Sequence, residues 1–299
     1  MVIGVRVPAT TANLGPAFDV VGLALTLYND VELEPAEATA VVVTGEGQGT
    51  LPPTAANLVA RAAESVAQAV GAPRHFAIRC RNRIPLGRGL GSSAAAIIGG
   101  AVAANAALGG PLPTDALLDL AWKMEGHPDN VAAALLGGAV LVDISQGSVA
   151  WTRLLPRWEA EIVVVVPEFG VSTEEARAAL PAAVPLRDAV GNLARVARLV
   201  AAMATGQTEL LRDAFEDALH QPYRRPLVPG MDAVIRAARG AGAYGAALSG
   251  SGPTIMAVAP ASRGEQVGRA MVEAFATAGK TAVAKVLQVD ESGATVAVA

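Results

Sequence analysis

Apolar and polar positions follow two successive grammars along this chain. Alternation through residues 2–7, closed by Pro8, predicts a first strand, and residues 40–44 predict another. Glycine and proline punctuate residues 45–53, after which residues 55–70 carry a helical period and 75–81 alternate again as a strand. Residues 94–108 form the most apolar run. It is shorter than the ~18 residues needed to cross a bilayer and it carries Asn105, so a buried core helix is expected. Pro111 and Pro113 break the pattern before a helix over 114–124 with Thr114 as its cap, and 137–144 with 149–154 read as a hairpin.

Beyond Pro156 the order changes to a strand (162–166), helices (173–180, 186–205, 231–239), a strand pair (244–248, 255–259), a helix (264–278) and a strand (282–289). That order predicts an α+β chain with a ferredoxin-like second half. The expected domains are residues 1–155 and 156–299, with no internal repeat or low-complexity linker between them.

Composition narrows the function classes. With 52% hydrophobic and 17% charged residues the chain is expected to fold as a globular protein without staples. Cys80 is the one cysteine, which excludes an internal disulfide and a cysteine-based zinc site. No signal-peptide pattern opens the sequence, so a cytoplasmic location is expected. A net charge of -4 without a lysine- or arginine-rich block argues against nucleic acid, and no segment suits a membrane. A small molecule is the expected partner, and a homodimer is compatible with the sequence.

The candidate chemistry centres on Pro85, Leu86, Gly87, Arg88, Gly89, Leu90, Gly91, Ser92, Ser93, Ala94 and Ala95, a glycine-rich turn that opens the apolar helix. Glycines let an anion approach the backbone, and the helix start offers unpaired N–H groups and a positive dipole end. A phosphate is therefore expected here. The spacing fits neither the P-loop, which needs a lysine, nor the dinucleotide fingerprint. The three lysines, Lys123, Lys280 and Lys285, lie elsewhere, so neutralisation falls to arginine, a metal ion and backbone dipoles. One of the paired serines can cap the helix while the other faces a ligand or magnesium.

Three polar clusters accompany the loop: a turn from Pro8 to Asp19 containing Asn13, the segment Glu125-Gly126-His127-Pro128-Asp129-Asn130, and the turn Ser249-Gly250-Ser251-Gly252-Pro253. Each also has a plain structural reading. Asn13 and Asp19 can satisfy a turn, Asp129 or Asn130 can cap a helix, and the last turn can be a tight hairpin. Glu125 suits magnesium, which takes one or two carboxylates beside phosphate oxygens. No histidine or serine spacing supports a zinc site or a Ser-His-Asp triad.

Together the loop, the Pro-Ala-Thr-Thr-Ala-Asn-Leu-Gly-Pro segment and the Ser-Gly-Ser-Gly-Pro turn resemble the three motifs of the GHMP kinases. Glu125 to Ala132, Ser172 to Pro181 and His220 to Gly230 resemble its homoserine kinase branch, and the likeness covers nearly the whole chain. The resemblance implies the two-domain GHMP kinase fold, with a ribosomal-protein-S5-like amino-terminal domain that binds ATP and a ferredoxin-like carboxyl-terminal domain. It implies phosphorylation of the side-chain hydroxyl of L-homoserine by ATP and Mg²⁺, a step of threonine biosynthesis. Residues 85–95 would wrap the ATP phosphates, Asn57 would reach the adenine, and Ser93 (or Ser92) with Glu125 would hold magnesium.

Asn13, Asp19, His127, Asp129, Thr173, Arg177 and Arg224 would surround the amino acid, with Arg177 and Arg224 clamping its carboxylate and Asp19 or Asp129 taking its ammonium. Arg225 is an alternative to Arg224. Asn13, Asp129 and Asn130 would align the hydroxyl. Asn130 stands where other branches carry an aspartate, so no strong general base is expected. Ala247 departs from the hydroxyl residue common in the branch. A GHMP kinase for a mevalonate- or sugar-like alcohol and a non-catalytic nucleotide-binding regulator are the rival readings.

Overall fold

A computed structural model describes residues 1–144 and 147–298. The chain opens with β1 (Ile3–Asn13), which turns back antiparallel into β2 (Ala17–Ala36), a strand of 20 residues. There follow β3 (Ala40–Gly45), α1 (Leu58–Ala69), β4 (His75–Asn82), α2 (Ser92–Ala107), α3 (Thr114–Glu125), α4 (Pro128–Leu136), β5 (Ala139–Asp143) and β6 (Ala150–Leu154). The second half holds β7 (Ala160–Pro167), α5 (Thr173–Ala178), α6 (Leu186–Thr205), α7 (Gln221–Arg224), α8 (Met231–Gly240), β8 (Gly245–Leu248), β9 (Ile255–Pro260), α9 (Gly264–Thr277) and β10 (Ala282–Leu287), and β11 (Thr295–Val298) ends it.

β2 is the spine of the first sheet. It pairs with β1, β4 and β5, and the sheet runs β11-β1-β2-β4-β3, with β6 extending β5. The sequence pattern does not predict this strand. Its first half, Val20 to Leu27, is almost continuously apolar, and such a run has no period by which a buried strand can be told from a helix. The predicted hairpin of β5 and β6 is present. The second sheet runs β10-β7-β9-β8.

The expected domain division needs one correction. The last strand, β11, pairs with β1 in the first sheet, and on the way there Asp290 donates its backbone N–H to Ala24 O and accepts at its carbonyl from Gly138 N–H. The end of the 156–299 segment therefore crosses back and closes the edge of the first sheet.

α2 is apolar on every side and is buried accordingly, from Ala94 through Asn105 with the exception of Ala96, which lines the cavity described below. Its lone amide is satisfied rather than stranded: Asn105 donates to Leu112 O and accepts from Leu112 N–H, both at 3.0 Å. Small residues let α1 lie directly on it. A Cβ added at Gly100 would stand 2.1 Å from the Val59 carbonyl oxygen. Helix propensity alone predicts that Gly100→Ala stabilises by ~1 kcal/mol. Overpacking against backbone opposes it by ~1–3 kcal/mol. Net destabilisation is expected, read as a lower urea midpoint, and a raised midpoint would mean that the helices are not in contact there. Among the described residues, no helix is long and apolar enough to cross a membrane.

Candidate active site

The glycine loop follows β4 and enters α2 as the sequence predicts. Gly87, Gly89 and Gly91 all have positive φ, +61°, +73° and +68°. Gly91 occupies the cap position and no side chain caps the helix, so neither serine takes the capping role expected of one of them. The first-turn amides of Ser92, Ser93 and Ala94 are thereby left for an outside acceptor.

The loop is pinned from behind. Ser249 Oγ donates to Gly89 O at 2.6 Å and lies 2.8 Å from Thr11 Oγ1, and Gly250 N–H donates to Ala12 O at 3.1 Å. A Cβ at Gly89 would sit 2.2 Å from Ser249 O, and one at Gly91 1.9 Å from Thr10 Oγ1. The late Ser-Gly-Ser-Gly turn is therefore a buttress for the loop.

In front of the loop lies a cavity of about 490 Å³. At one end its wall is apolar, built by Val31, Val43, Leu51, Pro52 and Cys80, with Asn29, Asn57 and Asn82 beside them. Burial pushes the Cys80 thiol up to about 12, so it is a neutral wall residue and not a nucleophile at neutral pH. Asn57 caps α1, accepting from Val59 N–H at 3.2 Å, and donates to Pro52 O at 2.8 Å, which fixes its amide as part of the wall.

At the other end the two helices α3 and α4 meet. Gly126, in the left-handed conformation, ends α3 just after Glu125. His127 then takes the cap position of α4 and Pro128 its first turn, so neither Asp129 nor Asn130 is the cap. This junction aims three side chains together. Ser93 Oγ donates to Glu125 Oε1 at 2.5 Å, His127 Nε2 lies 3.9 Å from Glu125 Oε1, and His127 Nδ1 lies 3.2 Å from Asp129 Oδ1. Burial raises the Glu125 carboxyl above its ordinary range. Burial also works against a charged His127, but its hydrogen bond to Asp129 and the two nearby carboxylates outweigh it, and the net shift is upward. Asp129 Oδ1 also accepts from Asn130 N–H at 2.7 Å, and Asn130 Oδ1 accepts from Thr10 Oγ1 at 2.6 Å.

The arginines are arranged differently from the expected two-sided clamp. Arg177 on α5 and Asp19 on β2 form a forked ion pair with both N···O distances at 2.9 Å, so each neutralises the other across 158 residues of sequence. Arg224 on α7 has no such partner among the described residues. It is 2% exposed and its hydrogen bonds go to neutral groups: Nε to Ala176 O, Nη1 to Gly250 O, both at 3.1 Å, and Nη1 to His220 Nδ1 at 3.2 Å. Burial, with Arg177 nearby, lowers its pKa to about 10. A buried guanidinium with no carboxylate bonded to it, lining a cavity, has the chemistry to receive an anion.

Comparison with known proteins gives the family. The family profile for the GHMP kinases N terminal domain matches residues 57–138, and that for the GHMP kinases C terminal region matches 191–277. The homoserine kinase of Carboxydothermus hydrogenoformans is 48% identical over 292 residues, 97% of this chain and 95% of that protein. That of Moorella thermoacetica is 48% identical over 295 residues, 98% of this chain and 99% of that protein. The chain belongs to the homoserine kinase family of the GHMP kinases. A crystal structure of homoserine kinase from Cytophaga hutchinsonii superposes with a TM-score of 0.90 at 33% identity, covering 99% of this chain and 97% of that one. The fold is the two-domain GHMP kinase fold expected from the motifs, and the family implies ATP as phosphoryl donor.

Most of the residues that the family motifs single out do line one cavity: Asn13, Asp19, Asn57, Leu86, Gly87, Arg88, Gly89, Gly91, Ser92, Ser93, Ala95, Glu125, His127, Asp129, Asn130, Thr173, Arg177 and Arg224. Pro85, Leu90 and Ala94 are not among the lining residues, and the Leu90 and Ala94 side chains are buried in the core beneath the loop. Arg88 lines the cavity, yet its guanidinium donates to carbonyls of Leu86, Gly87, Pro167 and Glu168, which ties the loop to the end of β7. Arg225 points away and pairs with Asp232 at 3.1 Å. Ala247 is wholly buried and does not line the cavity.

Sequence reasoning misses Asn29, Val31 and Val43, which reach the cavity from β2 and β3. The signal for the first two lies in the second half of β2, where buried Asn29, Val31 and Leu33 alternate with the more exposed Asp30, Glu32 and Glu34. That alternation puts Asn29 and Val31 on one inward face.

Proposed function

We propose that this protein transfers the γ-phosphoryl group of ATP to the side-chain hydroxyl of L-homoserine, giving O-phospho-L-homoserine and ADP. The observation that carries the proposal is Arg224, a buried guanidinium with no bound carboxylate, opening on the same cavity as the uncapped amides of α2. One end suits a polyphosphate and the other an α-carboxylate, as a phosphoryl donor and an amino-acid alcohol together require.

The apolar wall takes the base, and the amides of Ser92, Ser93 and Ala94 hold the phosphates with the α2 dipole behind them. Ser93 and Glu125 offer a hydroxyl and one carboxylate at 2.5 Å, a donor set that fits Mg²⁺ shared with phosphate oxygens. When bound, the ion would neutralise charge developing on the phosphoryl oxygens. Arg224 binds the acceptor's carboxylate, while Asp19 or Asp129 takes its ammonium. Thr173 and His127 complete that end of the pocket, and Arg177 adds charge where its pair with Asp19 opens to the substrate.

Asn13 and Asn130 are held firmly enough to align the hydroxyl. Asn13 Nδ2 donates to Gly250 O at 2.9 Å, and its Oδ1 accepts from Asp19 N–H at 3.0 Å. The hydroxyl oxygen attacks Pγ as the bond to the β–γ bridging oxygen breaks, ADP leaves with that bond's electron pair, and the hydroxyl proton passes to an oxygen of the transferred phosphoryl group and on to water after the transfer is under way. A loose transition state makes positioning and charge stabilisation matter more than early deprotonation.

Release of ADP from Mg-ATP, measured against homoserine, serine, threonine, mevalonate and galactose, tests the proposal. Homoserine is expected to give the highest kcat/KM. Turnover confined to mevalonate or galactose would reject the acceptor, and ATP binding without turnover of any alcohol would favour a regulator. Glu125→Gln is expected to lower kcat by on the order of 10²-fold and to raise the Mg²⁺ needed for half-maximal rate. An unchanged kcat would remove this carboxylate from the site's chemistry.

A further inference from the structure

Arg224 owes its orientation to a neighbour that does not line the cavity. His220, at the start of α7, is 0% exposed, with Nε2 2.7 Å from Gly15 O and Nδ1 3.2 Å from Arg224 Nη1. A carbonyl only accepts and a guanidinium only donates, so these partners assign the ring's proton to Nε2 and its lone pair to Nδ1. Asp217 Oδ2, 3.5 Å from Nε2, favours the same assignment. Burial lowers the pKa of His220, in keeping with a neutral ring beside a cation.

The ring is held on every side. It stacks on Phe18 at 5.2 Å between centroids, and the Arg224 guanidinium lies 5.1 Å over the same Phe18 ring. Below, Asp217 accepts the backbone N–H groups of Leu219, His220 and Gln221 at 2.8, 2.9 and 2.6 Å. The Asp217 carboxylate and the His220 ring form a rigid post, and the three acceptors of Arg224 occupy Nε and Nη1 without using Nη2.

We infer that His220 is a positioning residue: its Nδ1 lone pair fixes the Arg224 guanidinium in the orientation that receives the acceptor's carboxylate. The inference rests on the proposed homoserine reading and adds a residue to it. His220 acts on the carboxylate through Arg224, so its effect appears only with acceptors that carry one.

The test compares L-homoserine with 3-aminopropan-1-ol, which is homoserine without its carboxylate, in the full-length protein. In His220→Phe, which keeps a ring against Phe18 and loses both polar ends, kcat/KM for homoserine is expected to fall about 10- to 100-fold, the loss of one hydrogen bond to a charged group. The value for 3-aminopropan-1-ol and KM for ATP are expected to stay within about twofold. His220→Asn keeps an acceptor near the Nδ1 position and should recover most of the loss. His220→Gln, with its donor reaching toward Gly15 and no acceptor at that position, should not, and this pair decides the matter if the Phe variant does not fold.

Equal losses on both acceptors, or equal behaviour of the Asn and Gln variants, would overturn the inference. A wild-type protein with no preference for homoserine over 3-aminopropan-1-ol would instead reject the functional reading on which it rests.

Discussion

Arg224→Met is expected to lower kcat/KM for homoserine by about 10²- to 10³-fold while KM for ATP stays within about twofold, and to leave the free protein as stable as before or more so. The first part follows from removing one member of a buried, charge-assisted guanidinium–carboxylate pair, which costs ~2–5 kcal/mol. The second follows from the cost of the charge itself. Burial and the neighbouring Arg177 lower the Arg224 pKa to about 10, so the folded protein disfavours its own cation at this position. Methionine keeps much of the volume and removes that penalty. A residue that stabilises the fold would give the opposite pairing, a lower melting temperature with activity falling in proportion. Steady-state kinetics and thermal unfolding on the same preparations separate the two.

Gly89→Ala is expected to cost about 10²- to 10³-fold in kcat/KM for ATP, far more than Gly87→Ala, although both residues have positive φ. The left-handed backbone alone costs an alanine ~1–2 kcal/mol at either position. The neighbourhoods differ. A Cβ at Gly87 meets nothing within 4 Å, whereas at Gly89 it would lie 2.2 Å from Ser249 O and 2.9 Å from Gly252 N, both backbone atoms. The loop must then leave the Ser249 turn, and the amides at the start of α2 lose their aim. Equal losses in the two variants, by ATP titration at saturating acceptor, would mean that the loop does not depend on this approach.

How much of this is legible in the sequence depends on whether the deciding interaction is local. The glycine loop, the all-apolar helix behind it and the Glu125-to-Asn130 cluster are contiguous in sequence, and each lies where its local chemistry predicts. The first half of β2 is not legible in the same way, because a run buried on both faces carries no alternation, whereas its second half does alternate. The return of β11 to the first sheet depends on pairing four residues with a strand almost the whole chain away, which no local pattern encodes. The same holds for charge. The family resemblance implies Arg177 and Arg224 gripping one carboxylate, yet Arg177 finds Asp19, and the loop arginine Arg88 finds carbonyls at the end of β7. Which charge remains available to a ligand is settled by three-dimensional partners: among the described residues neither Arg88 nor Arg224 has an ionic partner, but Arg88 is partly exposed and spends its guanidinium on four carbonyls, whereas Arg224 is buried and leaves Nη2 out of its hydrogen bonds to neutral groups.

A crystal structure of the protein with a non-hydrolysable ATP analogue, Mg²⁺ and L-homoserine would show both substrates against these groups at once. Phosphate oxygens are expected within hydrogen-bond distance of the Ser92, Ser93 and Ala94 amides, and the homoserine carboxylate on the Arg224 guanidinium. Polyphosphate density away from the α2 start, or a carboxylate bound elsewhere than Arg224, would contradict the proposed arrangement.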